Sequence, residues 1–157
     1  MSASRVGLRA AAGALRGRGI EIFTVLALAA GSLLIVADVL TLFRIETRGL
    51  VADTQAGGTH HAYAMAFIGA AVIGATLLAR SAEQWPPALA VVVLGLVSVV
   101  IVLTLDRPDA TRSDLLTSAR VGDAEPAIGF WLELAGAVMS VVAGAALAFC
   151  LRASPRR

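Results

Sequence analysis

Lysine is missing from this chain: all thirteen basic residues are arginine. With the abundance of Ala, Val, Leu and Gly, this points to a GC-rich coding sequence rather than to a function. Only one cysteine, Cys150, is present, so no internal disulfide can form and nothing in the chain depends on an oxidising compartment. Beside the end of the last apolar run, Cys150 reads as a small hydrophobe. Catalytic templates are absent as well. There is no phosphate-cradling glycine loop, no cysteine pair and no serine in a nucleophile-elbow context, and Asp106, Asp109 and Asp114 lack the spacing of a calcium loop. The expectation is a non-enzymatic protein with no cofactor and no nucleic-acid partner.

What the chain has instead is apolar length. Hydrophobic residues make up 58% of its 157 residues, against roughly 45–50% in soluble domains, and the mean hydropathy is +0.83. Crossing the hydrocarbon takes about 20 consecutive apolar residues. Four such runs are present, over about 20–43, 62–80, 87–105 and 127–151. They leave no room for a separate soluble domain, so residues 20–152 read as one transmembrane unit between tails at 1–19 and 153–157. Within lipid every backbone amide must be satisfied, which only helices or closed barrels achieve. Two-residue alternation is absent from the runs. The predicted fold is therefore all-α, an up-down transmembrane four-helix bundle, with Pro86 and Pro87 well placed in the first turn of the third helix. The first run is too long for a cleaved secretory signal and reads as an uncleaved anchor.

Arginine placement sets the orientation. One side collects Arg5, Arg9, Arg16, Arg18, Arg80, Arg152, Arg156 and Arg157; the other has Arg44, Arg48, Arg107, Arg112 and Arg120, accompanied by acids. The positive-inside rule then puts both termini in the cytoplasm of a bacterial inner (plasma) membrane, with Trp85 at the inner interface and Trp131 at the outer. The basic N-terminal segment, with Leu8, Ala11, Ala12 and Leu15 between its arginines, is either a loose tail or a short surface helix on anionic lipid. The two outer loops span 44–60, with Gly57 and Gly58, and 106–126, where a short helix from Ser113 to Gly122 would bury Leu115 and Leu116.

Helices in lipid associate through small residues and buried hydrogen bonds. Ala62, Ala66, Ala70 and Gly74 mark one such stripe on the second span; Gly136, Ser140, Gly144 and Ala148 mark another on the fourth. They predict two tight contacts, within the bundle or between protomers.

Two carboxylates interrupt the spans, Asp38 in the first and Glu133 in the last. At 1.5 Å per residue both lie roughly 7–9 Å inside the outer ends of their runs. If they face each other, one retains its proton or a cation joins them. If they face the rim, Asp38 reaches headgroup water or His61, and Glu133 pairs with Arg44. Glu21 reads as an interfacial residue at the first helix's cytoplasmic start. His60 and His61 stand at the outer start of the second span beside Tyr63 and, with Asp38, Asp106 and Glu133, offer nitrogen and oxygen ligands. Neighbouring histidines on a helix, however, point about 100° apart, so no metal is expected; a pH-sensitive cap is the stronger reading of the pair.

At Gly57-Gly58-Thr59-His60-His61-Ala62-Tyr63-Ala64, Arg107-Pro108-Asp109-Ala110-Thr111 and Gly129-Phe130-Trp131-Leu132-Glu133-Leu134-Ala135-Gly136, the chain resembles uncharacterised small four-span integral membrane proteins of actinobacteria. The resemblance runs from the first span onward and implies an inner-membrane protein without implying a substrate. Claudin-like and tetraspanin-like proteins are similar in span number but have extracellular cysteines with no counterpart here. Small multidrug exporters are similar in topology, yet their loops are shorter and their acid lies nearer mid-membrane. The functional expectation is a structural or accessory component that binds the bilayer and another membrane protein or a second copy of itself. The alternatives are a proton- or cation-coupled transporter or channel using Asp38 and Glu133, and an envelope pH or metal sensor.

Overall fold

The structure is a computed structural model that describes residues 3–47, 50–110, 115–117 and 120–153. It is mostly helical, and four helices are long and apolar enough to cross a membrane: Gly13–Val39, Ala64–Ser81, Trp85–Asp106 and Ile128–Arg152. In chain order the elements are α1 (Ala3–Val39), β1 (Thr41–Thr47), β2 (Leu50–Ala56), α2 (Gly57–His60), α3 (Ala64–Ser81), α4 (Trp85–Ile101), a π-turn (Val102–Asp106), α5 (Arg107–Ala110), β3 (Leu115–Thr117), β4 (Arg120–Pro126) and α6 (Ile128–Arg152). The basic N-terminal segment from Ala3 is continuous helix with the first apolar run. Two prolines begin α4, where the amides they lack would have had no helical partner.

The all-α expectation holds only in part: the protein is mostly helical but also carries a small sheet. The connections expected as loops hold a four-stranded sheet in the order β2-β1-β4-β3. Antiparallel pairing sets Ile45 opposite Asp53 on one side and Ala124 on the other. β1 alternates: Phe43 and Ile45 are buried and Arg44 is exposed. α1 consequently ends at Val39, not at Phe43, and Leu42 and Phe43 belong to a strand. The expected helix from Ser113 to Gly122 is not found either. Ser113 lies outside the described residues, and the described parts form the β3–β4 hairpin, with Leu115 opposite Gly122.

α1 packs on α3 and α6, and α4 packs on the same two helices. The α1–α3 contact is closest at Gly31 and Gly69. A β-carbon on Gly69 would stand 2.5 Å from the Gly31 carbonyl oxygen, and one on Gly31 would stand 2.7 Å from that of Gly69. On α6, Gly136 lies against Ala30 and Leu34 of α1, while Gly144 lies against Val91 and Val92 of α4. Ser140 touches the face of Gly95, and Ala148 is buried beside Ala79, Ala88 and Leu151. The stripe on the second span is different. Ala62, Ala70 and Gly74 are exposed, Ala66 is half-buried, and nothing approaches a β-carbon built on Gly74 within 4 Å. α3 instead buries Met65, Gly69, Val72, Thr76 and Ala79, so the expected small-residue stripe points out of the chain's own core.

Much of the remaining surface of these helices is apolar: Val25, Phe67, Val93, Val100, Val142 and Phe149 are all exposed. Buried hydroxyls close on their own helices. Thr24, Thr76, Ser98 and Ser140 each donate to the carbonyl four residues earlier, at 2.7–3.1 Å. Close backbone approach, rather than polar bonds between helices, is what the contact at Gly31 and Gly69 depends on. Gly69→Val should therefore lower thermal stability in detergent by about 1–3 kcal/mol, the usual range for overpacking. Gly74→Ala should be nearly neutral. Thermal melts followed by circular dichroism compare the two, and equal effects would contradict this account of the α1–α3 contact.

Candidate functional site

The sheet closes one end of the helices, and beneath it five ionisable side chains from four segments converge. Asp38 is the next-to-last residue of α1 and is almost wholly buried. Its Oδ2 accepts the Ala66 amide at 3.0 Å. Ala66 lies in the first turn of α3, whose own N-cap, Tyr63, is left-handed and makes no side-chain capping bond. First-turn amides have no helical acceptor, so a carboxylate from another helix takes that role and also complements the positive end of the α3 dipole. α2 rests on the same residue: a β-carbon at Gly57 would lie 3.0 Å from the Asp38 α-carbon. Glycine is what permits this approach.

α2 is a single turn ending at His60, and His61, its C-cap, is already off the helical conformation at φ −112° and ψ 14°. Ala62 and Tyr63 follow with φ of 52° and 63°. The 100° separation expected of neighbouring helical histidines does not apply, because the helix stops between them. The two imidazoles lie 4.7 Å apart, centre to centre, and His60 meets Phe43 of β1 edge-on at 5.6 Å. Left-handed backbone at residues other than glycine costs of order 1–3 kcal/mol each. Here it reverses the chain between the histidines and α3.

Asp106 closes the cluster. The π-turn at the end of α4 carries it inward, where it is fully buried; π-turns of this kind are frequent at functional sites. The Asp106 Oδ1 lies 2.5 Å from His61 Nε2 and 3.6 Å from His60 Nε2. Glu133, in the second turn of α6, is 1% exposed and places Oε1 4.0 Å from His61 Nε2. Among the described residues, neither Glu133 oxygen has a hydrogen-bond partner, nor do Asp38 Oδ1 and His61 Nδ1.

Burial holds the His61 imidazole below its ordinary value, the neighbouring His60 adds to this, and the Asp38 charge opposes both. A neutral ring carries its proton on one nitrogen. Among the described residues Nδ1 has no acceptor, so the favoured tautomer carries the proton on Nε2 and donates it to Asp106, since a buried orphan acceptor is cheaper than a buried orphan donor. Asp38 and Asp106 also act electrostatically on Glu133.

Asp38, Glu133 and His61 thus lie in one cluster. Arg44 does not: it lies exposed on β1, opposite Thr54 and Glu125, so the expected Glu133–Arg44 pair does not form. Asp106, named from the sequence only as one possible ligand beside the histidines, was not expected to be buried, because its Asp-Arg-Pro-Asp setting reads as a loop. His60, His61 and Asp106 each offer one ligand atom, all within 4.8 Å of one another, a grouping able to hold a metal ion. Comparison of the chain with protein-family models, curated proteins and solved structures finds no match. The site must be interpreted from its own geometry.

Removing the cap that Asp38 supplies should free the start of α3. Asp38→Ala is expected to cost about 0.5–2 kcal/mol, the range for losing an N-cap, and to speed hydrogen exchange at Ala66. Asp38→Asn keeps an acceptor oxygen and should restore most of the protection. Equal exchange in both variants would show that the bond is dispensable.

Proposed function

We propose that this chain is a non-enzymatic, multi-pass protein of a bacterial inner membrane that responds to a cation taken up from the outer side. In this reading the four long helices form an up-down bundle with both termini cytoplasmic, as the arginine distribution favours. The sheet is then the outer cap.

One observation supports the cation reading above the others: Asp38, Asp106 and Glu133 are buried together, and among the described residues both Glu133 oxygens lack donors. Ionised carboxylates withdrawn from water cost several kcal/mol each unless compensated. A cation, whether a metal ion or protons, supplies the compensation. Its arrival would draw together α1, the segment around His60 and His61, the π-turn and α6, so occupancy and cap order are linked.

A through-membrane conductor has less support. Away from the cluster the interior is apolar at Leu34, Val72, Val91, Ala143 and Leu147, and its hydroxyls are engaged with their own carbonyls. An accessory role remains compatible with the sensor. The outward face of Ala70 and Gly74 suits close approach by another transmembrane helix.

In proteoliposomes, a mixture of divalent cations or mild acidification on the cap side should slow hydrogen exchange across 57–66 and 120–126. Glu133→Gln should lose much of that response, and no cation flux should accompany it. Cap exchange unchanged by every cation and by acid would remove the reading, and flux abolished by Glu133→Gln would replace it with a transporter. For the accessory role, Gly74→Leu should leave the thermal melt unchanged while eliminating a cross-linked partner or dimer; cross-linking as strong as in the parent protein would exclude this face.

A further inference from the structure

We propose that the occupant of the cluster is a divalent transition-metal ion of the zinc class, ligated by His60 Nε2, His61 Nε2, an Asp106 carboxylate oxygen and Glu133 Oε1. This assignment rests on the cation reading of the same site and specifies its chemistry.

Zinc is held by nitrogen at about 2.0–2.1 Å and by carboxylate oxygen at about 2.0–2.2 Å in tetrahedral sites, which sets ligand atoms roughly 3.3–3.5 Å apart. His60 Nε2 and Asp106 Oδ1 are 3.6 Å apart, already near that spacing. His61 Nε2 and Glu133 Oε1, at 4.0 Å, need to close by about half an ångström. The His61–Asp106 contact, at 2.5 Å, is a hydrogen bond rather than a ligand spacing. An entering ion takes the Nε2 lone pair once the ring proton moves to Nδ1, so the imidazole stays neutral, and widens the contact by slightly less than 1 Å on the same tetrahedral geometry. Glu133 lies outside the 4.8 Å grouping that His60, His61 and Asp106 form, so it completes the site by moving in toward those three.

The donor set selects the ion class. Two imidazoles with two carboxylates suit zinc and its d-block neighbours, whereas magnesium and calcium take oxygen ligands. Charge agrees with this. Two neutral histidines and two ionised carboxylates neutralise a dication, and Asp38 stands just outside with one oxygen turned from its capping bond and unpartnered. Access also exists. The His60 side chain is 18% exposed while that of His61 is 5% exposed, so an ion would meet His60 first and pass inward to His61, Asp106 and Glu133. The early end of α2 gains a purpose: with His61 off the helical conformation, two successive histidines share one centre, which a continuing helix would not allow.

The test uses the full-length, untagged protein in nanodiscs, stripped with a chelator and titrated with ZnCl2 against a chromophoric competitor. One ion per chain is expected, and Co2+ should give the intense visible absorption of tetrahedral coordination. A thousandfold excess of CaCl2 should not compete. His60→Ala, Asp106→Asn and Glu133→Gln should each weaken Zn2+ by more than the roughly ten- to hundredfold that an outer contact is worth; the latter two are near-isosteric, and circular dichroism verifies that they fold. Substoichiometric binding, or affinity unchanged in all three variants, would overturn the assignment. If Zn2+ fails to bind while Ca2+, Mg2+ or acid still slows cap exchange, the metal class is wrong and the cation reading stands. If none of these ions acts on the cap, both fall together.

Discussion

The bond from the Ala66 amide to Asp38 links two problems that a chain in lipid must solve at one level: how to start a helix without water, and where to place an acid. Tyr63 offers α3 no side-chain cap, and the buried Asp38 at the end of α1 accepts the Ala66 amide at its Oδ2. Each answers the other. The geometry holds only if α1 and α3 run close together, which the glycines at 31 and 69 allow. Once Asp38 is fixed, Gly57 can lie directly on it, and α2 then delivers His60 and His61 to the interior. The sheet, the histidine turn and the acid cluster all depend on that contact.

Apolar length and proline placement made the long helices legible from sequence, because both act through backbone chemistry that a residue expresses by itself. Helix faces were legible only in part, and the reason is periodicity. Residues four apart drift by about 40° per step on a helix of 3.6 residues per turn. On α6 this drift is useful: Gly136 meets α1 and Gly144 meets α4, since α6 has a neighbour on each side. On α3 it misleads. The buried set Met65, Gly69, Val72, Thr76 and Ala79 advances by alternating fours and threes and stays on one face, while Ala62, Ala66, Ala70 and Gly74 wind away from it.

The sheet end was less legible, since its elements depend on partners distant in sequence. The alternation Phe43-Arg44-Ile45-Glu46 is a strand signal, but it adjoins an apolar run and is easily absorbed into the helix. Nothing local marks the π-turn that carries Asp106 inward, nor the left-handed pair that turns His60 and His61 together. Asp38 and Glu133 stood out because a charge in an apolar run is conspicuous on its own. Asp106 was legible only as one possible ligand beside the histidines, because its neighbours Arg107, Pro108 and Asp109 are polar or helix-ending.

Where the energy of an occupied cluster would go follows from what surrounds it. On the side of the long helices lie close backbone contacts and hydroxyls already bonded to their own carbonyls, and tightly packed interiors yield little to small displacements. On the other side lie a one-turn helix, two left-handed residues and a sheet joined to the helices by backbone bonds such as Gly57 N–H to the Leu40 carbonyl and Ala127 N–H to the Leu42 carbonyl. Strain there can be relieved or increased by sub-ångström movement of His61 and Asp106. A charge balanced at this boundary would therefore act first on the cap, and on the starts of α3 and α6, before it acts on the span. That asymmetry favours a protein that registers a cation at one face over one that passes it through.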